Sequence, residues 1–159
     1  MKKINLLLII LVAILSLWGE DLRLDIMFSN DVHGGISRDE ATFMNPEFPP
    51  KLGGGASHAT FIKHVRTLKS ETRDNLLLDA GDFWQGKPIG TVTNGEAIIE
   101  YYNMIGYDAL TIGNHEYDIK EKEIIETLKM ANFPILSSNI VNKETGELVD
   151  YVQPYVIIE

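Results

Sequence analysis

Three short segments of the chain carry residues that can hold cations or move protons: Asp31-Val32-His33, Gly81-Asp82 and Gly113-Asn114-His115-Glu116. Asp31 and His33 stand two apart, so both side chains can project to one side of an extended segment. A carboxylate can bridge two cations. Asp82 suits that task, and Asp79 competes with it, because a three-residue spacing does not separate them. Asn114 offers a neutral amide oxygen; the cap of a helix would also explain it. His115, held off the metal, could donate a proton to a leaving oxygen or stabilise transition-state charge, and Asp118 could orient its imidazole. Carboxylate, imidazole and amide donors suit Zn, Mn, Fe, Mg or Ca, and the chain has no cysteine for a thiol-seeking ion. Two such cations ~3.5–4 Å apart can activate water and clamp a phosphoryl oxygen.

The elements around these segments alternate. Residues 22–28 alternate apolar and polar, the period of a strand, and run into the Asp31 turn. Residues 37–55, with Pro46, Pro49, Pro50 and Gly53-Gly54-Gly55, read as loop. Ala59, Ile62, Val65 and Leu68 recur at helical spacing and predict a helix over 57–69. The apolar run 75–78 reads as a strand covered on both faces, ending at Asp79-Ala80-Gly81-Asp82. Thr93-Asn94-Gly95-Glu96 has the form of a capping box and opens a helix to Ile105, stopped by Gly106. Residues 107–112 predict a third strand, 119–131 a third helix, 134–136 a fourth strand and 151–158 one more, with Pro154 marking an edge or bulge. The order implies an α/β fold with a mostly parallel sheet and right-handed crossovers. In such sheets ligands bind beyond the carboxyl ends of strands, which is where all three segments fall.

Other features read as structural. His58 and His64 lie six apart, do not share a helix face and read as solvated. Gly53-Gly54-Gly55 lacks the frame of a phosphate-binding loop and reads as a turn into a helix. Tyr101 and Tyr102 read as packing residues and Trp84 as a wall beside the site, with Gln85 unassigned.

Composition sets the context. With 45% hydrophobic and 23% charged residues in 159, the chain is globular and about one domain long. Met1-Lys2-Lys3 precedes an apolar run over 6–15, so residues 1–19 read as a secretory signal peptide; an uncleaved membrane anchor is the alternative. The run is short for a span, which needs ~20 residues, and no other membrane association is expected. The expected location is periplasmic or extracellular. Without 1–19 the chain holds 12 basic against 23 acidic residues, net −11. Such a charge repels nucleic-acid backbones, and no nucleic-acid binding is expected.

The chain resembles the calcineurin-like metallophosphoesterases, in the secreted 5′-nucleotidase / 2′,3′-cyclic phosphodiesterase branch. The resemblance rests on Ser-Asn-Asp-Val-His-Gly-Gly from 29, Leu-Leu-Leu-Asp-Ala-Gly-Asp-Phe-Trp-Gln-Gly from 76, Ile-Gly-Tyr-Asp-Ala-Leu-Thr-Ile-Gly-Asn-His-Glu-Tyr-Asp from 105 and Phe-Pro-Ile-Leu-Ser-Ser-Asn-Ile from 133. It implies a sandwich of two β-sheets flanked by helices, of which residues 20–159 form the N-terminal half. It implies that Asp31 and His33 bind the first of two divalent metal ions, that Asp82 rather than Asp79 bridges both, and that Asn114 binds the second. His115 and Asp118 become the catalytic pair, and the reaction is hydrolysis of a nucleotide phosphate ester.

In this family further ligands come from later Gly-His and Gly-His-x-His segments, and a second domain stacks the nucleotide base. The expectation is therefore a truncated catalytic domain without its C-terminal substrate domain, inactive alone. The alternatives are a hydrolase of a sulfur compound or a nuclease-like phosphodiesterase of the same superfamily, or a non-catalytic truncated product.

Overall fold

The computed structural model describes residues 21–158; the signal-peptide reading of 1–19 lies outside them. Four parallel strands form the main sheet in the order β1 (Arg23–Ser29), β4 (Arg73–Asp79), β5 (Ala109–Thr111), β6 (Ile135–Leu136). A separate antiparallel pair joins β2 (Asp39–Glu40) to β3 (Lys51–Leu52). The helices are α1 (Gly54–Arg66), α2 (Pro88–Val92), α3 (Glu96–Ile105) and α4 (Glu121–Leu128), with a 3₁₀ turn at His115–Asp118. The predicted α/β alternation is the observed one. Among the described residues it builds one main sheet and a two-residue ribbon.

One core lies against the buried face of the sheet. Leu77 of β4, Ile62 of α1, Ile98, Ile99 and Tyr102 of α3, and Ile124 and Leu128 of α4 all join it. Helix α3 ends as its sequence requires: Gly106 takes φ +79°, a conformation glycine adopts without a Cβ clash, and its N–H bonds Tyr102 O. Arg66, at the end of α1, donates to Asn75 Oδ1 (2.7 Å), Gly106 O (2.7 Å) and Asp108 Oδ2 (2.8 Å). That one guanidinium ties α1, β4 and the α3–β5 turn together.

Several boundaries differ from the sequence reading. Helix α1 starts three residues early, because Gly54 at φ +61° turns the chain directly into it. Helix α2 and the β2–β3 ribbon were not expected; each is too short to show a period. Thr93 is not the cap of α3. Gly95 is, while Thr93 closes α2 and its hydroxyl donates to Ile89 O. The strand expected over 151–158 shrinks to a single bridge, in which Gln153 pairs with Leu136. Pro154 follows and has no N–H to extend the ladder.

Strand β1 edges the sheet and leaves one face bare. Leu24, Ile26 and Phe28 are 53%, 57% and 75% exposed. The alternate face of the strand carries Asp25, paired with Arg73 at 2.5 Å.

Candidate metal centre

The first two segments meet because the β1–β4 pairing continues past the strands. Asp31 N–H donates to Gly81 O (3.0 Å), His33 N–H to Asp82 O (3.0 Å) and Gly34 N–H to Phe83 O (2.8 Å). The chain adopts positive φ at Asp31 (+50°), His33 (+49°) and Asp82 (+57°), three of the four non-glycine residues that do so among those described. Such conformations cost energy and gather where a site needs particular side-chain directions. The third segment is pressed against the second: a Cβ added at Gly81 would lie 2.3 Å from Gly113 N, and one at Gly113 would lie 2.3 Å from Asp82 Oδ1. Both glycines permit a backbone approach that any side chain would block.

These contacts bring one ligand atom each of His33, Asp82 and His115 within 4.8 Å of one another. The His33 and His115 rings stand edge to face, 5.0 Å between centroids. His33 Nδ1 bonds the carbonyl of Gln85 at 2.5 Å, which assigns the proton to Nδ1 and leaves the Nε2 lone pair free. Gln85 thus acts through its backbone. Asp31 reaches the His33 edge of the group, its Oδ1 3.7 Å from His33 Nε2. Asp82 Oδ1 accepts the His115 N–H at 2.8 Å. Asn114 begins the 3₁₀ turn without a side-chain capping bond and is exposed, so the cap does not occupy its amide. The two imidazoles and the Asp82 carboxylate form a donor set that could hold a divalent cation.

His115 Nδ1 lies 2.6 Å from Asp118 Oδ2. That hydrogen bond favours the imidazolium and raises the histidine pKa above its usual value. The geometry expected of an oriented imidazole is present, with a difference: the ring also stands beside His33 and Asp82 instead of apart from them.

Asp79 is a different kind of residue. It is 3% exposed and accepts from Ser29 Oγ (2.5 Å), Tyr102 Oη (2.8 Å) and Gly81 N–H (2.9 Å). Burial pushes its pKa up against those bonds. It is a buried anchor at the end of β4, where alternation directs it inward.

Three side chains have surroundings that the sequence did not show. His58 is half-buried; its Nδ1–H donates to Tyr101 Oη at 3.0 Å, and burial lowers its pKa. Trp84 is 3% exposed and donates from Nε1 to the His115 carbonyl at 2.9 Å, so it supports the loop from beneath. Glu116 is fully buried and accepts three backbone N–H groups, from Asp82, Phe83 and Gly113. Desolvation raises its pKa while those amides oppose the shift. Nothing in sequence distinguished Glu116 from a ligand, since it sits among residues of the same chemistry.

The model of the calcineurin-like phosphoesterases matches residues 24–153. The chain belongs to that family. A snake venom 5′-nucleotidase of Gloydius brevicauda is 38% identical over 152 residues, 92% of this chain and 25% of its own. A 5′-nucleotidase of Rattus norvegicus is 36% identical over 96% of this chain and 27% of its own. The crystal structure of a 5′-nucleotidase precursor from Thermus thermophilus superposes with TM-score 0.71 and 26% identity, over 85% of this chain and 26% of that one. The chain therefore spans about a quarter of the length of these relatives. The family uses divalent metals, and His33, Asp82 and His115 form a group that could hold one. No helix among the described residues is long and apolar enough to cross a membrane.

Proposed function

We propose that this chain supplies the first part of a two-metal centre that hydrolyses nucleotide phosphate esters; relatives named 5′-nucleotidases support the substrate class. The observation that carries the reading is the convergence of His33, Asp82 and His115 beyond three parallel strand ends. In this reading Asp31, His33 and Asp82 hold one ion, and Asp82 with Asn114 takes part in holding a second. The ions would supply Lewis-acid stabilisation of a phosphoryl oxygen and activation of water. The protein's own work is orientation. Gln85 O fixes the His33 tautomer, and His115 N–H holds Asp82 Oδ1 in place. Asp118 favours the protonated His115, whose Nε2–H can then serve the leaving oxygen.

The remaining ligands and the base-recognition surface come, in this proposal, from sequence beyond these 159 residues. Residues 1–19 direct export to the periplasm or the exterior. The test is AMP hydrolysis with Mn²⁺. The isolated chain is expected to show negligible turnover. A longer product of the same reading frame, carrying later Gly-His and Gly-His-x-His segments, is expected to turn over and to lose activity in Asp82→Asn. Turnover of ~1–10³ s⁻¹ by the isolated chain would overturn this division of labour.

A further inference from the structure

Glu116 is the one group at the site whose presence the ligand set does not explain. It is 0% exposed, faces no lysine or arginine among the described residues, and would be an expensive carboxylate to bury without a task. Its oxygens are fully engaged. Oε2 accepts Asp82 N–H (2.9 Å) and Gly113 N–H (2.7 Å), and Oε1 accepts Phe83 N–H (2.9 Å). Two of these amides belong to the loop that carries Asp82. The third precedes Asn114 and His115. Two other side-chain to main-chain bonds link the two loops here, His115 N–H to Asp82 Oδ1 and Trp84 Nε1–H to the His115 carbonyl, and neither reaches Gly113. A buried carboxylate accepts at both oxygens and donates at neither, so it is the side chain suited to three converging donors.

We propose that Glu116 is a positioning residue that fixes the spacing between the Asp82 and Asn114 loops, and through it the geometry offered to the ions. The proposal rests on reading Asp82 and Asn114 as ligands. Glu116→Gln isolates the effect. Turned one way, its NH₂ faces Phe83 N–H; turned the other way, it faces both Asp82 and Gly113 N–H, so at least one of the three amides loses its acceptor. Glu116→Ala strips all three. The expected order of Mn²⁺ affinity is Glu, Gln, Ala, with Gln ~10–100-fold below wild type, the usual loss when an outer partner of a metal ligand is removed.

A merely structural role would lower stability alone. The control is Thr127→Ala, which removes a buried hydroxyl bonded to Asn94 O on α4, outside the three ligand loops. It is expected to lower stability and leave Mn²⁺ affinity as in wild type.

The second measurement needs no variant: amide hydrogen exchange of the metal-free wild-type chain. Asp82, Phe83 and Gly113 are expected to share strong protection although they lie in loops. Folded Glu116→Gln with wild-type Mn²⁺ affinity would refute the proposal. Exchange of those three amides at the rate of an unprotected chain would refute it too, and decides the matter alone if Glu116→Gln does not fold. A wild-type chain that binds no Mn²⁺ would refute the ligand reading beneath it, an outcome distinct from both.

Discussion

Asp79 and Asp82 stand three residues apart, yet the structure gives them opposite consequences on conversion to asparagine. At Asp79, Oδ1 accepts the Gly81 N–H while Oδ2 takes the Ser29 and Tyr102 hydroxyls. An asparagine must turn its NH₂ toward one of these sets. If it faces Gly81, a buried N–H loses its acceptor, at about 1–3 kcal/mol. If it faces the hydroxyls, both must reorient. The expected loss of about 1–3 kcal/mol lowers the melting temperature by roughly 3–9 °C for a chain of this size, with Mn²⁺ affinity retained. Asp82→Asn keeps the oxygen that accepts His115 N–H, and asparagine tolerates the +57° φ found there. Its stability should stay within about 0.5 kcal/mol, while Mn²⁺ affinity falls at least ~10–100-fold.

The two variants also differ in acid. Burial raises the Asp79 pKa in the folded state. Its favourable contribution is therefore complete below the unfolded value of about 3.9 and is lost as pH rises through the folded value. The cost of Asp79→Asn should be larger in acid than at neutral pH. Urea melts at several pH values and metal titration of both variants make the comparison. Loss of metal binding in Asp79→Asn with full retention in Asp82→Asn would refute the reasoning.

Three further outcomes follow from the same geometry. The His115 imidazole, followed by NMR in metal-free protein, should titrate above 6.5, and Asp118→Asn should bring it down, because Asp118 is the main cause of the rise. The stability that pair contributes is present below 6.5 and fades as pH climbs through the folded value; an unchanged midpoint in Asp118→Asn would contradict it. Gly113→Ala places a methyl 2.3 Å from Asp82 Oδ1 and 2.7 Å from Asp82 N, and chemical denaturation should show a loss of about 1–3 kcal/mol. The bare β1 face of Leu24, Ile26 and Phe28 should bind a hydrophobic dye and promote association. Ile26→Lys should reduce both, and equal dye binding in that variant would count against the face as the cause.

The sequence was most legible where chemistry and topology coincide. Asp31, His33, Asp82 and His115 could be placed near one another because each follows a strand in an alternating α/β chain. Gly106 could be placed because only a left-handed residue closes α3 there. Asp79 and Asp82 are inseparable by pattern, and only the resemblance favours Asp82; the register puts Asp79 inside the sheet and leaves Asp82 in a loop beyond it. The roles of Glu116 and Trp84 were not legible for a related reason: what they do depends on backbone groups of distant loops, and side-chain patterning carries no record of those. Helix α2 and the β2–β3 ribbon are too short to show a period. The strand expected over 151–158 is reduced to one bridge at Gln153 because Pro154 has no N–H to extend the ladder, whatever the apolar run around it.

The central claim is that His33 and Asp82 hold a divalent ion at the strand ends. X-ray absorption on the Mn²⁺- or Zn²⁺-loaded chain tests it most directly, paired with the same spectrum of His33→Ala and Asp82→Asn. The account predicts one or more histidine ligands among oxygen donors in the wild type, with the imidazole signal reduced in His33→Ala and binding weakened in Asp82→Asn. A spectrum without imidazole, or one unchanged in both variants, would contradict it.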